Sequence, residues 1–318
     1  MPSLSVVIPN YNGRDLLAQN LPFVFMALRN SGIDDFEVIV ADDASNDESV
    51  SFLEEQFPQV KLVLNHKNLG FSGNINTGIA VACKDLVLLL NSDVQLTADY
   101  FSTQLHYFEK SDTFGVMGRI MSMDRKVNQD TAKYPSYRFA EIGSTKNYTH
   151  SNAQALTYSW FMSGANALVC RKKLKMLGGF REIFNPFYCE DVDLSLRAWR
   201  IGFKIYYAHD AICYHPNSET IKKLPQKSVR RIAKRNQLIL HYLHLDGIEN
   251  LFFLVKATVK TCLYMLIFNT IYPFAFGQFL LTIEKLRHEK KLFSNLQSQQ
   301  NQTISLREIA SYIKSTVS

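Results

Sequence analysis

The sequence is poor in the residues that define several common protein classes. It holds 5 cysteines and 2 tryptophans in 318 residues, and the cysteines lie far apart among apolar neighbours. Such cysteines predict buried thiols in a reducing compartment and argue against a disulfide or zinc framework. No signal peptide precedes the first predicted strand at Leu4, so we expect the catalytic part to stay in the cytoplasm.

Two common nucleotide-binding motifs and any nucleic-acid-binding motif are also missing. The glycine-bearing loop at residues 68–76 does not match Gly-x-Gly-x-x-Gly, and it lacks the Lys-Ser/Thr pair of a P-loop. The net charge of +6 is modest, and basic residues cluster at 171–175, 222–235 and 287–291. This pattern indicates an anionic surface as a partner and not a nucleic acid.

What is present is a strong alternation of strands and helices. With 47% apolar and 20% charged residues, the chain can bury a full core in one large domain, with or without an appendage. Apolar runs predict buried strands at residues 4–8, 36–41, 60–64 and 86–90, and helical patterns separate them. This order predicts an α/β fold with a doubly wound nucleotide-binding sheet.

Polar residues follow the most apolar of these strands, at residues 86–90. In an open parallel sheet, ligands bind beyond the carboxyl ends of the strands, where Asn91, Ser92 and Asp93 stand. Asp93 offers the carboxylate that a hard divalent cation holding a diphosphate needs, with the Asn91 amide beside it. The alternative is that all three are ordinary turn residues.

The loops after the first two strands bring further polar groups to the same edge. Tyr11 could cover a base with its ring, and Asp42 and Asp43 could accept the N–H of a uracil-like base or cap the next helix. Two adjacent carboxylates are more than a cap requires. Gly70 and Gly73 would let the backbone approach a ligand closely, although a plain helix entry explains them nearly as well.

A second group of carboxylates stands at a predicted helix start. Glu190, Asp191 and Asp193 begin this helix, where the backbone dipole stabilises negative charge and could explain one or two of them. Three invite another role, and a carboxylate beneath aromatic neighbours such as Tyr188 suits a general base that deprotonates a glycosyl acceptor. His215 ends a later strand; a lone histidine is more often structural, but here it is a candidate metal ligand.

In this order, the segments resemble the inverting glycosyltransferases of family 2, which have the GT-A fold. The likeness runs from about residue 4 to 215 and is carried by Val6-Val7-Ile8-Pro9-Asn10-Tyr11-Asn12, Ala41-Asp42-Asp43-Ala44-Ser45-Asn46-Asp47, Asn68-Leu69-Gly70-Phe71-Ser72-Gly73-Asn74-Ile75-Asn76, Asn91-Ser92-Asp93, Gly178-Gly179-Phe180 and Glu190-Asp191-Val192-Asp193-Leu194. The resemblance implies hexosyl or deoxyhexosyl transfer from a UDP- or dTDP-sugar to a hydroxyl, with Mn²⁺ or Mg²⁺ as cofactor, in cell-surface glycan or polysaccharide biosynthesis.

The resemblance also implies roles for individual residues. Asp191 would be the catalytic base with Glu190 in support, and Asp93 with His215 would hold the metal. The predicted nucleotide-binding residues are Pro9, Tyr11, Asn12, Asp42, Asp43, Asn68, Gly73, Asn91 and Ser92, and those predicted for the acceptor or sugar side are Trp160, Gly164 and Tyr188. One departure is that the family's metal motif is often Asp-x-Asp, whereas Asn91 takes the first place here, as in relatives resembling bacterial rhamnosyl and polysaccharide transferases.

We expect a catalytic domain over residues 1–220, with a nucleotide half at about 1–118 and an acceptor half at about 119–220. A helical, partly apolar tail over 221–318 would follow it. Residues 261–283 carry no charge, and the length of this stretch is close to the roughly 20 residues that span a bilayer. An interfacial or re-entrant anchor is slightly favoured over a true span, and a helical pair packed on the domain is the third alternative.

The expected partners follow from these features. They are a nucleotide-sugar donor, a glycan or lipid-linked acceptor and an anionic membrane surface, which would hold the enzyme at the cytoplasmic face of the membrane. Transfer to a polyprenyl phosphate would also explain the tail. A non-catalytic nucleotide-sugar-binding subunit of a glycan assembly complex is the alternative outside the enzyme class.

Overall fold

A computed structural model describes residues 2–150, 156–216 and 225–317. Its amino-terminal part alternates strands and helices as predicted: β1 (Leu4–Asn10), α1 (Arg14–Asn30), β2 (Phe36–Asp42), α2 (Ser49–Gln56), β3 (Lys61–Leu64), α3 (Gly70–Val81) and β4 (Leu86–Leu90). One boundary differs, because α3 already begins at Gly70 and includes residues predicted as a loop. The predicted domain boundary at residues 220–221 lies outside the described residues.

The following part of the chain combines two strands of 10 and 12 residues with several short ones, four of which form two separate two-stranded sheets. The elements are β5 (Gln95–Leu96), β6 (Thr113–Ser122), β7 (Asn128–Asp130), β8 (Ala132–Tyr134), β9 (Tyr137–Arg138), β10 (Glu141–Ile142), β11 (Lys146–Tyr148), β12 (Thr157–Tyr158), β13 (Asn166–Cys170), α4 (Arg171–Met176), α5 (Glu190–Arg200) and β14 (Lys204–His215). The sequence pattern at residues 98–110 also predicts a helix, and this prediction is wrong: the segment forms turns and a short 3-10 helix at Leu105–Glu109. The residues at 204–207 and 211–214 predict two short strands, but they form one strand, β14, which is irregular between Ala208 and Ile212.

The main sheet has the strand order β12-β14-β6-β13-β4-β1-β2-β3. Strands β3, β2, β1 and β4 are parallel, and β13 runs antiparallel to both β4 and β6. Asn10 lies opposite Asp42 in the register of β1 and β2. The carboxyl ends of β1, β2 and β4 therefore meet at one edge, and the crevice beyond that edge is where ligands bind in such sheets.

Apolar side chains cover both faces of this sheet. Every residue of β4 is buried, which confirms the predicted buried strand. On one face, α1 packs through Leu17, Leu21 and Leu28. On the other, α3 approaches so closely that a Cβ on Gly78 would stand 2.5 Å from Val7 Cγ1, so a glycine is needed there.

The carboxyl-terminal helices are α6 (Gln226–His244), α7 (Gly247–Leu266), α8 (Ile271–Leu281), α9 (Ile283–Gln299) and α10 (Leu306–Ser315). They share one apolar cluster with the sheet, which extends from Val7 to Ile313. The uncharged stretch at residues 261–283 is not one helix, because α7 ends at Leu266 and α8 begins at Ile271. Among the described helices, none has both the length and the apolarity that crossing a membrane would need.

Candidate active site

The loops after β1 and β2 are joined by Asp42. This buried carboxylate accepts hydrogen bonds from Asn10 Nδ2 at 2.8 Å and from Ser45 Oγ at 2.6 Å. Asn12 lies in the left-handed region at φ 52 and accepts a hydrogen bond from Asn46 N at 2.9 Å. Beside them the Tyr11 side chain is 55% exposed at the strand end. These contacts fix the loop and leave the Tyr11 ring accessible for a base.

Asp43 holds the start of α3. Its carboxylate accepts from the backbone N–H groups of Leu69 at 2.8 Å and Gly70 at 3.0 Å, and from Asn65 Nδ2 at 3.1 Å. The negative charge also suits the positive end of the helix dipole. Asp43 therefore caps α3, whereas the capping alternative expected it to cap α2, the next helix in the chain. Its nucleotide-binding role stays a prediction.

The neighbouring loop residues are fixed by local contacts. Asn68 Oδ1 accepts from the Gly70 N–H at 3.0 Å, and a Cβ on buried Gly73 would stand 2.7 Å from Leu69 Cβ. Gly73 thus serves the packing of the first turn of α3. Pro9 lies within β1, and the carbonyl of Ser92 accepts a hydrogen bond from Asn20 Nδ2 at 2.9 Å.

Asp93 and His215 meet as the sequence predicts. His215 Nε2 lies 3.1 Å from Asp93 Oδ2, although the two residues come from the ends of β4 and β14. His215 Nδ1 lies 3.3 Å from Gln129 Oε1, and Gln129 Nε2 donates to the His215 carbonyl at 3.1 Å. An amide oxygen only accepts, so Nδ1 carries the hydrogen and Nε2 faces the carboxylate.

This arrangement fits a divalent cation. Asp93 Oδ1 and Asn91 Oδ1 are buried and have no hydrogen-bond partner, and Nε2 faces Oδ2 across a gap that calls for a proton or a metal ion. Carboxylate and amide oxygens are ligands that Mn²⁺ and Mg²⁺ accept. Within residues 2–150, 156–216 and 225–317, no cluster of three or more His, Cys, Asp or Glu side chains could hold a metal. The remaining ligands would have to come from diphosphate and water.

The carboxylates of α5 follow a strained turn. Tyr188 and Cys189 have φ values of 77 and 75, which are rare for residues other than glycine. Asn236 of α6 holds the turn by donating from Nδ2 to the carbonyls of Phe187 at 2.8 Å and Tyr188 at 3.0 Å. The carboxyl-terminal helices thereby fix the direction in which α5 begins.

Few contacts offset the burial of the Glu190 and Asp191 carboxylates. Burial and then the negative charge of Asp191 raise the pKa of Glu190, whose Oε2 is buried without a hydrogen-bond partner. Burial also raises the pKa of Asp191, against a 2.8 Å hydrogen bond from the Val192 N–H, and the charge of Asp130 raises it further. Carboxylates with raised pKa values can take up a proton near neutral pH, which is the property of a general base.

Asp193 is the opposite case. Its buried carboxylate accepts from Arg181 at 2.8 Å, from Arg197 at 2.8 Å and from His244 at 2.9 Å. Burial alone would raise the pKa of Asp193, yet these partners hold it well below its ordinary range. Asp193 is therefore part of the core, and only two of the three carboxylates at this helix start remain for chemistry.

The residues predicted for the acceptor side differ in outcome. A Cβ on Gly164 would lie 3.7 Å from Asp191 Cβ, so Gly164 adjoins Asp191, and Tyr188, two residues before Glu190, is 39% exposed. The prediction for Trp160 is wrong as a contact residue, because its side chain is 0% exposed and belongs to the apolar core. The sequence shows that residue 160 is aromatic, but whether its side chain is buried depends on the fold.

Two residues that the sequence did not single out join the two halves of the site. Gln129 contacts His215, and the next residue, Asp130, accepts a hydrogen bond from Ser163 and pairs with Lys133. They lie in β7, inside the irregular segment at residues 120–157, where no apolar periodicity marks a site. These consecutive residues link His215, through Gln129, to Asp191, on which the charge of Asp130 acts.

A separate cavity of about 1100 Å³ lies at the other end of the parallel strands, by their amino ends. It is lined by the residue before β4, Asp85, and by basic residues of α4 such as Arg171 and Lys173. Because these residues stand at the amino end of β4, this cavity is distinct from the crevice at Asp93.

Comparison with solved structures defines the fold class as that of GT-A glycosyltransferases. The crystal structure of GalNAc-T7 with UDP, GalNAc and Mn²⁺ aligns with a TM-score of 0.68 and 15% identity, covering 100% of this chain and 58% of that one. The sequence model of glycosyl transferase family 2 matches residues 5–178. The chain belongs to glycosyl transferase family 2.

Curated relatives are similar over part of their length. The probable glycosyltransferase YdaM of Bacillus subtilis is 25% identical over 256 residues, which cover 76% of this chain and 57% of that protein. The GalNAc(5)-diNAcBac-PP-undecaprenol beta-1,3-glucosyltransferase of Campylobacter jejuni is 33% identical over 107 residues, 32% of this chain and 33% of the relative. The chain thus spans between a third and just over half of these relatives.

Proposed function

We propose that this protein is an inverting glycosyltransferase that moves a sugar from a UDP- or dTDP-sugar to a hydroxyl in cell-surface glycan or polysaccharide biosynthesis. One observation supports it most. Gln129 and Asp130 are consecutive, and the first contacts His215 of the metal side while the charge of the second acts on Asp191. A donor diphosphate held at Asp93 and an acceptor hydroxyl at Asp191 would then share one crevice.

The proposed chemistry assigns a task to each of these residues. Asp93 and His215, with Asn91 beside them, would bind the divalent cation, which supplies positive charge to the leaving diphosphate. Asp191 takes the proton of the acceptor hydroxyl as its oxygen bonds to the anomeric carbon and the bond to the diphosphate breaks on the opposite side. Glu190 supports Asp191 by staying protonated near neutral pH, because burial and the charge of Asp191 raise the pKa of Glu190 to about 8, which leaves Asp191 as the ionised member of the pair.

The acceptor is the open part of this proposal. The Campylobacter relative is named for an undecaprenol-linked acceptor, which supports a lipid-linked glycan or a polyprenyl phosphate here. Such an acceptor would place the enzyme at the cytoplasmic face of a membrane, as the sequence predicts. The unpaired Glu190 and the Asp93–His215 pair argue against a non-catalytic binding subunit, in which neither would be needed.

Donor binding tests the proposal directly. We would measure thermal unfolding with UDP-, dTDP- and GDP-sugars, each with and without Mn²⁺. A donor at about 100 times its Kd should add about 2.7 kcal/mol to the free energy of unfolding, and only with Mn²⁺. Asp93→Asn should remove this effect.

The matched control is Asp85→Asn, at the other end of β4, where the carboxylate accepts from Ser3. It should keep the Mn²⁺-dependent donor effect. The proposal fails if no nucleotide sugar stabilises the parent protein, or if Asp93→Asn and Asp85→Asn respond alike.

A further inference from the structure

The outward side of α7 is an exposed apolar face. It consists of residues that are each between 52% and 75% exposed: Ile248, Leu251, Phe252, Val255, Val259, Leu263 and Leu266. The turn after the helix continues it with Ile267 and with Phe268, which is 91% exposed. We call these nine residues the α7 face. A contiguous exposed apolar surface of this kind marks an interaction site in soluble proteins.

The attachment of α7 to the rest of the chain shows which way this face points. The buried residues of α7 are Phe253, Ala257 and Thr261, which are spaced four apart and form one narrow stripe. At about 100° per residue, the seven helical residues of the α7 face centre about 180° from this stripe. The face therefore points directly away from the protein over the helix length of about 30 Å.

From residue 250 onward, the charged residues of the segment that carries this face have one sign, although Lys256 forms an ion pair with Glu141 of β10 at 2.7 Å. Residues 250–283 contain no Asp or Glu, and their two charged residues are Lys256 and Lys260. Both stand on one flank of the apolar face, and Lys260 Nζ lies 5.0 Å from the centre of the Tyr272 ring. On the neighbouring α6, the Arg231 guanidinium lies 4.1 Å from the Phe274 ring. An apolar face flanked by cations and aromatic rings matches an anionic lipid surface.

We propose that the α7 face lies in the interfacial region of an anionic membrane, with the axis of α7 parallel to the bilayer plane. Only one side of α7 can enter lipid because its opposite stripe packs on the protein. A second copy of the chain fits less well, since pairing two such faces would add the Lys260 charges of both copies, which the ion pair between Lys256 and Glu141 does not offset. The membrane contact stands independently of the proposed transfer reaction and gives a lipid-linked acceptor a place to meet the crevice.

Vesicle sedimentation tests this inference on the full chain. The parent should bind vesicles of equimolar phosphatidylcholine and phosphatidylglycerol, and bind pure phosphatidylcholine vesicles at least tenfold more weakly, with binding to the anionic vesicles falling as salt rises. The double variant Leu263→Glu/Leu266→Glu should weaken binding by about tenfold or more for each residue. Both side chains are exposed, so the fold should be retained.

Two controls separate the alternatives. Leu292→Glu changes a leucine of α9 that is 51% exposed outside the α7 face, and it should bind vesicles like the parent. Lys256→Gln/Lys260→Gln should weaken binding to anionic vesicles and leave the weak binding to neutral vesicles unchanged. Mn²⁺-dependent donor stabilisation should persist in all these variants, so a failure here is distinguishable from a failure of the proposed function.

Three results would overturn the inference. The first is a parent that binds neither type of vesicle, or both equally. The second is a Leu263→Glu/Leu266→Glu protein that binds anionic vesicles as the parent does. The third is a parent that sediments as a dimer without binding vesicles, with the same double variant becoming monomeric, which would assign the α7 face to a second copy of the chain.

Discussion

The first turn of α5 contains two electrostatic regions that differ sharply although they lie within four residues. Glu190 and Asp191 have raised pKa values and Glu190 has an unpaired buried oxygen, whereas Asp193 has a lowered pKa and three charged or polar partners. Both regions consist of carboxylates at the amino end of the same helix, so the same helix dipole acts on both. The comparison teaches that compensation by distant residues decides which carboxylate of a motif can do chemistry.

The compensated region also ties the catalytic helix to the tail. His244 of α6 donates to Asp193, and Arg181 links Asp193 to Glu289 of α9 at 2.9 Å. The uncompensated region depends on the tail as well, since Asn236 holds the turn before Glu190. The carboxyl-terminal helices are therefore part of what shapes the site.

The largest effect should come from removing the base. Asp191→Asn should lower the rate of transfer by about 10²–10⁴-fold, because the acceptor proton loses its carrier, while donor affinity stays as in the parent. Glu190→Gln should lose less. The measurement is kcat for transfer together with donor Kd by calorimetry. Full activity in Asp191→Asn with loss in Glu190→Gln would exchange the two roles.

The next effect should appear in stability and not in chemistry. Asp193→Asn leaves Arg197 in the core without its counter-ion and Arg181 with Glu289 alone, so the free energy of unfolding should fall by about 3–5 kcal/mol. Chemical denaturation measures it, with Glu190→Gln as the matched control from the same helix turn. If both variants had the stability of the parent, the contrast between the two regions would be wrong.

The pH dependence of unfolding should separate the two regions by sign. Asp193 has a lowered pKa in the folded state, so its stabilisation is present above its unfolded pKa of about 4 and is lost as pH falls below that value. Glu190 has a raised pKa, so its contribution becomes less favourable as pH rises above about 4.

Glu190→Gln should therefore flatten the loss of stability between about pH 4 and neutrality, by about 1.4 kcal/mol for each unit of pKa shift. Denaturant midpoints of parent and variant at several pH values measure this slope. Identical slopes in the two proteins would show that Glu190 titrates as it does in the unfolded chain.

The smallest effect should come from the neighbour in β7. Asp130→Asn removes one negative charge that raises the pKa of Asp191, so the acid limb of the kcat/KM profile should move to lower pH by less than about one unit. A structural role alone would change the rate without moving this limb. An unchanged pH profile would mean that Asp130 and Asp191 do not interact in the working enzyme.

A residue of this site can be predicted from the sequence when its position depends on nearby residues alone. The apolar runs at residues 4–8, 36–41 and 86–90 predict strand ends, and parallel pairing then brings Tyr11, Asp43 and Asp93 to one edge. The pairing of Asp93 with His215 was also predicted, but from family resemblance. Gln129 and Asp130 could not be predicted, because they lie in short irregular strands whose position depends on the rest of the sheet.

The sequence by itself determined the alternating strands, the edge where the polar residues gather and the helix that begins at Glu190, because these depend on local apolar periodicity and turn residues. Tertiary structure decided the rest. Asp193 is compensated by Arg181 and Arg197 and by a hydrogen bond from His244, which lies 51 residues away, and Trp160 is enclosed by the core instead of facing an acceptor. The uncharged segment at 261–283 is divided mainly between α7 and α8. The outward side of α7 is exposed because α7 packs on the protein through one stripe only. Burial and charge compensation are sums over distant neighbours, and the fold alone brings those neighbours together.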